Sequence, residues 1–246
     1  MDSGFYAACT GLLAKTDALE LAANNLANLN TTGYKSQMEF YRSLTASLNG
    51  RSLNSLNQAV NDYGVLGGST VDLTTGEFTR TGNDWDLALE GQGFFSVQTP
   101  AGVRYTRDGS FHVDSTGKLV NSNGYTVLGE EGAINVPSGT VSVSSDGTLS
   151  AQGAVVARLK LVTFQPGTAL QPEGSSLYSA PAKSEQAVTD ARLAQGTLES
   201  SNQNPVSGTV SLMALQRHAE LLQRALSIFY TNFNGTAAQD LSRVSS

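Results

Sequence analysis

Near the N-terminus, apolar residues recur at alternating spacings of three and four. Phe5, Ala8, Leu12, Lys15, Leu19, Ala22, Leu26 and Leu29 form one row, apolar at seven of its eight positions. That alternation keeps one stripe on one side of an α-helix, so it predicts a coiled-coil-like helix. Asn30-Thr31-Thr32-Gly33 should stop it, with Gly33 suited to a left-handed cap. The C-terminal segment repeats the pattern through Leu212, Leu215, Ala219, Leu222, Leu226, Phe229 and Phe233, all apolar. This second helix is expected to begin after Pro205, which suits a first turn, and to fray past Asn234-Gly235. Each run is about 25 residues, or about 37 Å of helix.

Both helices carry a further apolar row, made of Leu13 and Leu21 in the first and of Met213, Leu221 and Ile228 in the second. A helical hairpin buries a single seam, so the extra row needs another surface. Either the pair lies on its own β-domain or the row meets a second molecule. The self-contained look of the middle of the chain favours the second molecule.

Between the helices the period changes from about 3.6 to 2. Phe94–Gln98, Val103–Arg107, Phe111–Val113, Lys118–Val120, Tyr125–Leu128 and Val141–Ser144 read as short strands, and Val155–Phe164 as the longest. Asn123-Gly124 is a type I′ hairpin signal, and Asp108-Gly109 and Asp146-Gly147 are expected to turn in the same way. Glycine follows this division: of 25, four precede position 60, eighteen lie between Gly64 and Gly174, and three follow. Residues 43–69, polar and weakly periodic, read as an extended connector. The expected fold is α+β: paired, coiled-coil-like terminal helices flanking a central, mainly antiparallel all-β domain. The segments are a helical region at 1–35, the connector at 36–75, the β-domain at 76–195 and a helical region at 196–246.

Composition narrows the chemistry. Charged residues are only 15% of the 246 and the net charge is −6. Such a chain lacks the basic stripe that a phosphate backbone requires, so nucleic acid is not expected as a partner. Cys9 is the single cysteine and His112 and His218 the only histidines, which excludes a disulfide and any Cys- or multi-His metal cage within one chain. No apolar run approaches the roughly 18 residues of a membrane span, and the first residues do not resemble a secretory signal. Membrane insertion and a cleaved signal peptide are therefore not expected.

No catalytic pattern emerges. Gly91-Gln92-Gly93 precedes a strand and not a helix, so it reads as a turn or bulge and not a dinucleotide fingerprint. His112 and His218 read as surface residues, and Glu130-Glu131 as adjacent carboxylates on opposite faces, a poor acid and base pair. Cys9 reads as a small buried residue. Asp84-Trp85-Asp86 could form a sugar platform, which keeps a secreted carbohydrate-binding β-domain as the alternative function. A Trp in this setting is more often a core contact. No cofactor is expected. Asn24, Asn25 and Asn28 flank Leu26 although Asn is a weak helix former, which suggests hydrogen bonds to a neighbouring helix.

Five blocks, in order, resemble the bacterial flagellar rod, hook and hook-associated proteins. They are Ala23–Asn28 with Thr31–Lys35, then Asp86–Phe95, Tyr105–Phe111, Gly196–Asn202 and Gln216-Arg217. The chain's length favours the rod members. Val127–Pro137 and Arg158–Val162 look most like the proximal-rod subfamily, with the distal-rod subfamily close behind, while the tail from His218 through Phe229-Tyr230 departs from the usual pattern. The resemblance implies a non-enzymatic subunit of the basal-body rod, the drive shaft that carries torque from motor to hook. It implies export through the flagellar type III apparatus to a periplasmic rod, and partners that are further copies and neighbouring rod and hook subunits. The candidate assembly interface is Leu12, Leu19, Leu26, Leu29, Asn24, Asn25 and Asn28 at one end of the chain. At the other it is Leu212, Leu215, Leu221, Leu222, Leu226, Ile228, Phe229 and Phe233.

Overall fold

A computed structural model of the chain describes residues 2–42, 65–137, 139–165, 167–188 and 191–244. They form two compact units. One comprises residues 1–26, 38–69 and 205–246; the other comprises 27–37 and 70–204.

The first unit contains the two helices, α1 (Asp2–Ala27, 26 residues) and α2 (Pro205–Val244, 40 residues). Asn204 and Pro205 stand where a helix favours Asn as cap and Pro as first residue. α2 continues past Asn234-Gly235, where the sequence predicts fraying. One glycine costs a helix only about 1 kcal/mol, and the Ala-Ala-Gln that follows it soon after restores helical preference. Gln37–Arg42 and Val65–Val71 pair as a two-stranded sheet, so most of the described part of the expected connector is strand, with Ser36 and residues 72–75 irregular; its residues 43–64 lie outside the described residues.

The second unit is all β. Its main sheet orders Gln171–Gly174, Leu177–Ser179, Gly102–Thr106, Phe94–Thr99, Thr126–Gly129, Leu119–Asn121 and Phe111–Val113, and every registered pair is antiparallel. The strand Phe94–Thr99 is buried on both faces because it serves two cores. Phe95 and Val97 pack with Leu87, Leu89, Phe111, Leu119, Val127 and Leu149. Phe94, on the other face, meets Phe164 at a tilt and Tyr178 edge-on, with ring centroids 5.7 and 5.8 Å away. Burial of side chains on both faces removes the period-2 alternation that marks a half-exposed strand.

Two local expectations are corrected. The span Val155–Phe164 is two strands in different sheets: Ala154–Arg158 joins Thr148–Ala151, whereas Leu161–Phe164 pairs with Phe94–Thr99. Leu159, fully inside the core, makes the crossover by bridging to Gly129. The Asn-Gly and Asp-Gly hairpins also differ from type I′, which needs two consecutive residues at positive φ. At Asn121–Gly124 and Ser144–Gly147 only the glycine is left-handed, at 79° and 87°. Each glycine N–H donates back three residues, as in a type I turn closed by a glycine bulge. Asn121 Oδ1 accepts from the N–H groups of Asn123 and Tyr125, which satisfies the turn from inside.

Candidate functional site

The described residues hold two features beyond ordinary packing: a buried charged cluster in the β-unit and an exposed apolar row on α2.

The cluster begins just after α1. Thr31 donates from its N–H to Asn28 O and from its hydroxyl to Asn28 Oδ1, closing a turn that leads to Gly33 at φ 64°. The left-handed glycine anticipated from sequence is present, although it sits six residues beyond the helix and is held by tertiary contact. Its N–H donates to Glu199 O at 2.7 Å, and a Cβ on Gly33 would lie 2.2 Å from Asp108 N. The chain then inserts Lys35, only 1% exposed. Lys35 Nζ donates to Glu199 Oε1 and to Thr74 O, each at 2.6 Å. Glu199, also 1% exposed, accepts in addition from Gly76 N–H at 2.9 Å and, on Oε2, from Arg107 Nη1 at 3.3 Å. Arg107 donates further to the carbonyls of Leu89 and Gly91, at 2.8 and 2.6 Å, and its guanidinium lies over the Phe94 ring.

One carboxylate thus serves two cations. Charges removed from water are costly unless paired and hydrogen-bonded, and here three backbone carbonyls, one backbone N–H and a ring face surround the cluster, with Arg107 Nε the one buried donor of the cluster left without a partner among the described residues. Burial lowers the affinity of Lys35 and Arg107 for their protons, and Glu199 opposes that shift in both. Around the cluster, Lys35 N–H donates to the Tyr178 hydroxyl and Ser36 N–H to Asn202 Oδ1. Asn202 Nδ2 donates to the carbonyls of Asp72 and Thr74. Burial pushes the Tyr178 phenol well above its ordinary range. Residues 28–36, which follow α1, are thereby fastened to 199–202, which precede α2.

The sequence singled out these segments as blocks and assigned no role to Lys35, Arg107 or Glu199. One signal was available. In a chain with so few charges, Lys35 and Glu199 are each the only charged residue of their block, whereas Arg107 stands beside Asp108.

On α2, Leu212, Leu215, Ala219, Leu222 and Leu226 are half-buried. A Cβ on Gly11 of α1 would lie 3.9 Å from Leu222 Cδ1, so the helices touch at that level. The second row is open: Leu221 and Ile228 are 59% and 60% exposed, and Met213, Val206, Val210, Phe229 and Tyr230 are exposed as well. On α1, Leu12, Leu19 and Leu26 are half-buried, Asn24 and Leu13 exposed, Leu21 half-buried and Asn25 buried. Asn28 and Leu29 stand just past the helix end and are half-buried. The side chain of Phe233 lies outside the described residues.

The remaining candidates fall into place. Gly91 and Gly93, at φ 97° and 150°, form the turn between Leu87–Glu90 and Phe94–Thr99. His112 and His218 are exposed, and Cys9 is half-buried where a buried thiol was expected. Trp85 packs half-buried against the core, less deeply than a full anchor. Asp86 is buried and accepts from Asn83 Nδ2 at 2.9 Å, whereas Asp84 is exposed. The two carboxylates flanking the ring therefore do not share an open face, as a sugar platform would need.

Two family models match the chain: the flagella basal body rod protein model over residues 5–35, and the flagellar hook protein FlgE/F/G D1 domain over 88–151. The flagellar basal-body rod protein FlgF of Caulobacter vibrioides is 37% identical over 235 residues, covering 92% of this chain and 93% of that protein. The chain belongs to the flagellar basal-body rod protein family. FlgF of Escherichia coli is 32% identical, covering 98% of this chain and 99% of that protein. FlgG of Bacillus subtilis is 31% identical, covering 84% and 80%. The protein is accordingly a structural rod subunit and not an enzyme. No described helix is long and apolar enough to cross a membrane. The rod model ends at Lys35 and the hook-protein model contains Arg107, so two members of the buried cluster fall within the matched segments.

Proposed function

We propose that the subunit polymerises into the rod through its terminal helices, paired in coiled-coil fashion, and that torque passes along these packed helices. The observation that supports this most directly is the exposed α2 row, in which Met213, Leu221 and Ile228, spaced by eight and seven residues, recur on one side of the helix in open solvent. Leu12, Leu19, Leu26, Leu212, Leu215, Leu222, Leu226, Phe229 and Phe233 supply the rest of the interface, with Leu29, Asn24, Asn25 and Asn28 at the base of α1. Head-to-tail stacking of such surfaces is heterologous and gives a helical filament. The partners are further copies and neighbouring rod and hook subunits. Residues 1–35 and 196–246 form the rod core, 36–75 the connector and 76–195 the outer β-layer. The subunit reaches a periplasmic rod through the flagellar type III apparatus without a cleaved signal peptide. FlgF-type relatives at 37% and 32% identity favour a proximal position. The test is electron microscopy of basal bodies purified with and without this chain. Rods should be incomplete and hookless in its absence, and intact rods would refute the assignment.

A further inference from the structure

We infer that Glu199 is a positioning residue: its carboxylate fixes the separation of the two points from which the terminal helices leave the β-unit. The inference rests on the assembly reading above and adds to it a residue-level device. Residues 28–36 and 199–204 are irregular except for the strand end at Glu199, and neither segment has a core of its own. They are held by directional bonds, and Glu199 makes the charged ones. Its Oε1 takes Lys35 Nζ and Gly76 N–H, its Oε2 takes Arg107 Nη1, and its backbone oxygen takes Gly33 N–H. Asn202 adds lateral ties of its own: Ser36 N–H donates to its Oδ1, and its backbone N–H donates to Tyr34 O.

Electrostatics gives the arrangement its specificity. A hydrophobic plug at this place could slide or repack, whereas a carboxylate between an ammonium and a guanidinium is satisfied in one geometry. Arg107 also bonds to Leu89 O and Gly91 O, which ties the carboxylate to the strand Leu87–Glu90, whose Leu87, Ala88 and Leu89 are fully buried, and to the turn that follows it. The helix exits are thereby referenced to the most deeply packed element of the unit. Pre-ordering the exits lowers the entropy cost of docking both helices at once.

The test uses the full chain with Cys9→Ala and spin labels at Asn30→Cys and Gln203→Cys, both positions within the β-unit. Electron–electron distance measurements on the free subunit should give a narrow distribution. With Glu199→Gln the distribution should broaden, the melting temperature should fall by roughly 10 °C, and hook-bearing basal bodies in a complemented strain should drop at least tenfold. If Glu199→Gln does not fold, Glu199→Asp keeps the charge but is one methylene too short to reach all its donors, and should broaden the distribution likewise. The triple variant Lys35→Met/Arg107→Met/Glu199→Leu should regain thermal stability yet keep a broad distribution. A narrow distribution in these variants, or normal assembly despite a broad one, overturns the inference. Failure of the unsubstituted chain to support rods would overturn the assembly reading instead, and would leave the measured distances standing.

Discussion

The β-unit hides the charged cluster of Lys35, Arg107 and Glu199, and α2 leaves seven large apolar side chains in water: Val206, Val210, Met213, Leu221, Ile228, Phe229 and Tyr230. Each arrangement opposes the usual partition of polar and apolar groups, and the two resolve the conflict differently. Inside the β-unit the charges find partners from the same chain, so that region is complete in a single molecule. On α2 no described residue covers the row, and in the proposed assembly another surface completes it. The contrast separates what folding settles from what assembly settles, and it can be broken at either end.

The largest expected effect is at Gly33. An alanine there would need a left-handed backbone and would place its Cβ 2.2 Å from Asp108 N and 2.3 Å from Arg107 C. Backbone atoms cannot yield as a flexible side chain can. Gly33→Ala should cost at least about 4 kcal/mol, measured by denaturant unfolding of the β-unit signal. A loss under about 1 kcal/mol would mean that residues 28–36 are not fastened as described.

The complementary break is on α2. Leu221→Asp or Ile228→Asp should leave the unfolding free energy of the free subunit nearly unchanged, because both sites are already in water. In the filament the same carboxylate would be desolvated without a partner, at about 3–5 kcal/mol. Swimming and hook-bearing basal bodies should disappear in a complemented strain. Retained motility would show that this row faces solvent in the rod too.

This division also explains what could be read in the sequence. Seams, helix starts and short strands are local patterns, and Leu212–Phe229 or Phe111–Val113 announced themselves through spacing alone. The end of α2 was misjudged because Asn234-Gly235 looks like a stop, while the residues beyond it favour continuing. The turns at Asn121–Gly124 and Ser144–Gly147 were placed correctly and typed wrongly, since one glycine at positive φ serves a type I turn with a bulge as well as it serves type I′. The joint was invisible for a different reason. Lys35 meets Glu199 across 164 positions and Arg107 meets it across 92, and no periodicity spans such gaps. Only the isolation of Lys35 and Glu199 within their blocks marked them, and nothing marked Arg107, which stands beside Asp108.

A smaller effect is expected at Trp85. Its ring packs on the main core but stays half-exposed. Trp85→Ala should therefore cost about 2 kcal/mol, below the 3–5 expected for a fully buried aromatic. The melting temperature of the β-unit should fall, and retention on glycan columns should not change. An unchanged melting temperature with altered glycan retention would restore the carbohydrate-binding alternative.

The smallest effect is in the alkaline limb of stability, where the joint's own groups oppose one another. Tyr178 is pushed above its ordinary value of 10.0, chiefly by burial, so its phenol stays neutral in the fold while the unfolded chain ionises. The stability it contributes is complete below pH 10 and is lost as pH rises beyond that, because the folded state then holds more protons than the unfolded one. Lys35 is shifted the other way, below 10.5, again chiefly by burial. Between its folded value and 10.5 the unfolded chain holds more protons, so this group makes stability rise with pH. Melting temperatures from pH 9 to 11.5 should separate the two. Tyr178→Phe should flatten the fall above pH 10 by at most about 1.4 kcal/mol per pH unit. Tyr34 and Tyr105, whose values burial also raises, should keep some of the slope. Lys35→Met should remove the opposing rise and steepen the net fall. An alkaline limb identical in the unsubstituted protein and Tyr178→Phe would mean that the phenol beside Lys35 is reached by water, and that the joint is looser than the β-unit around it.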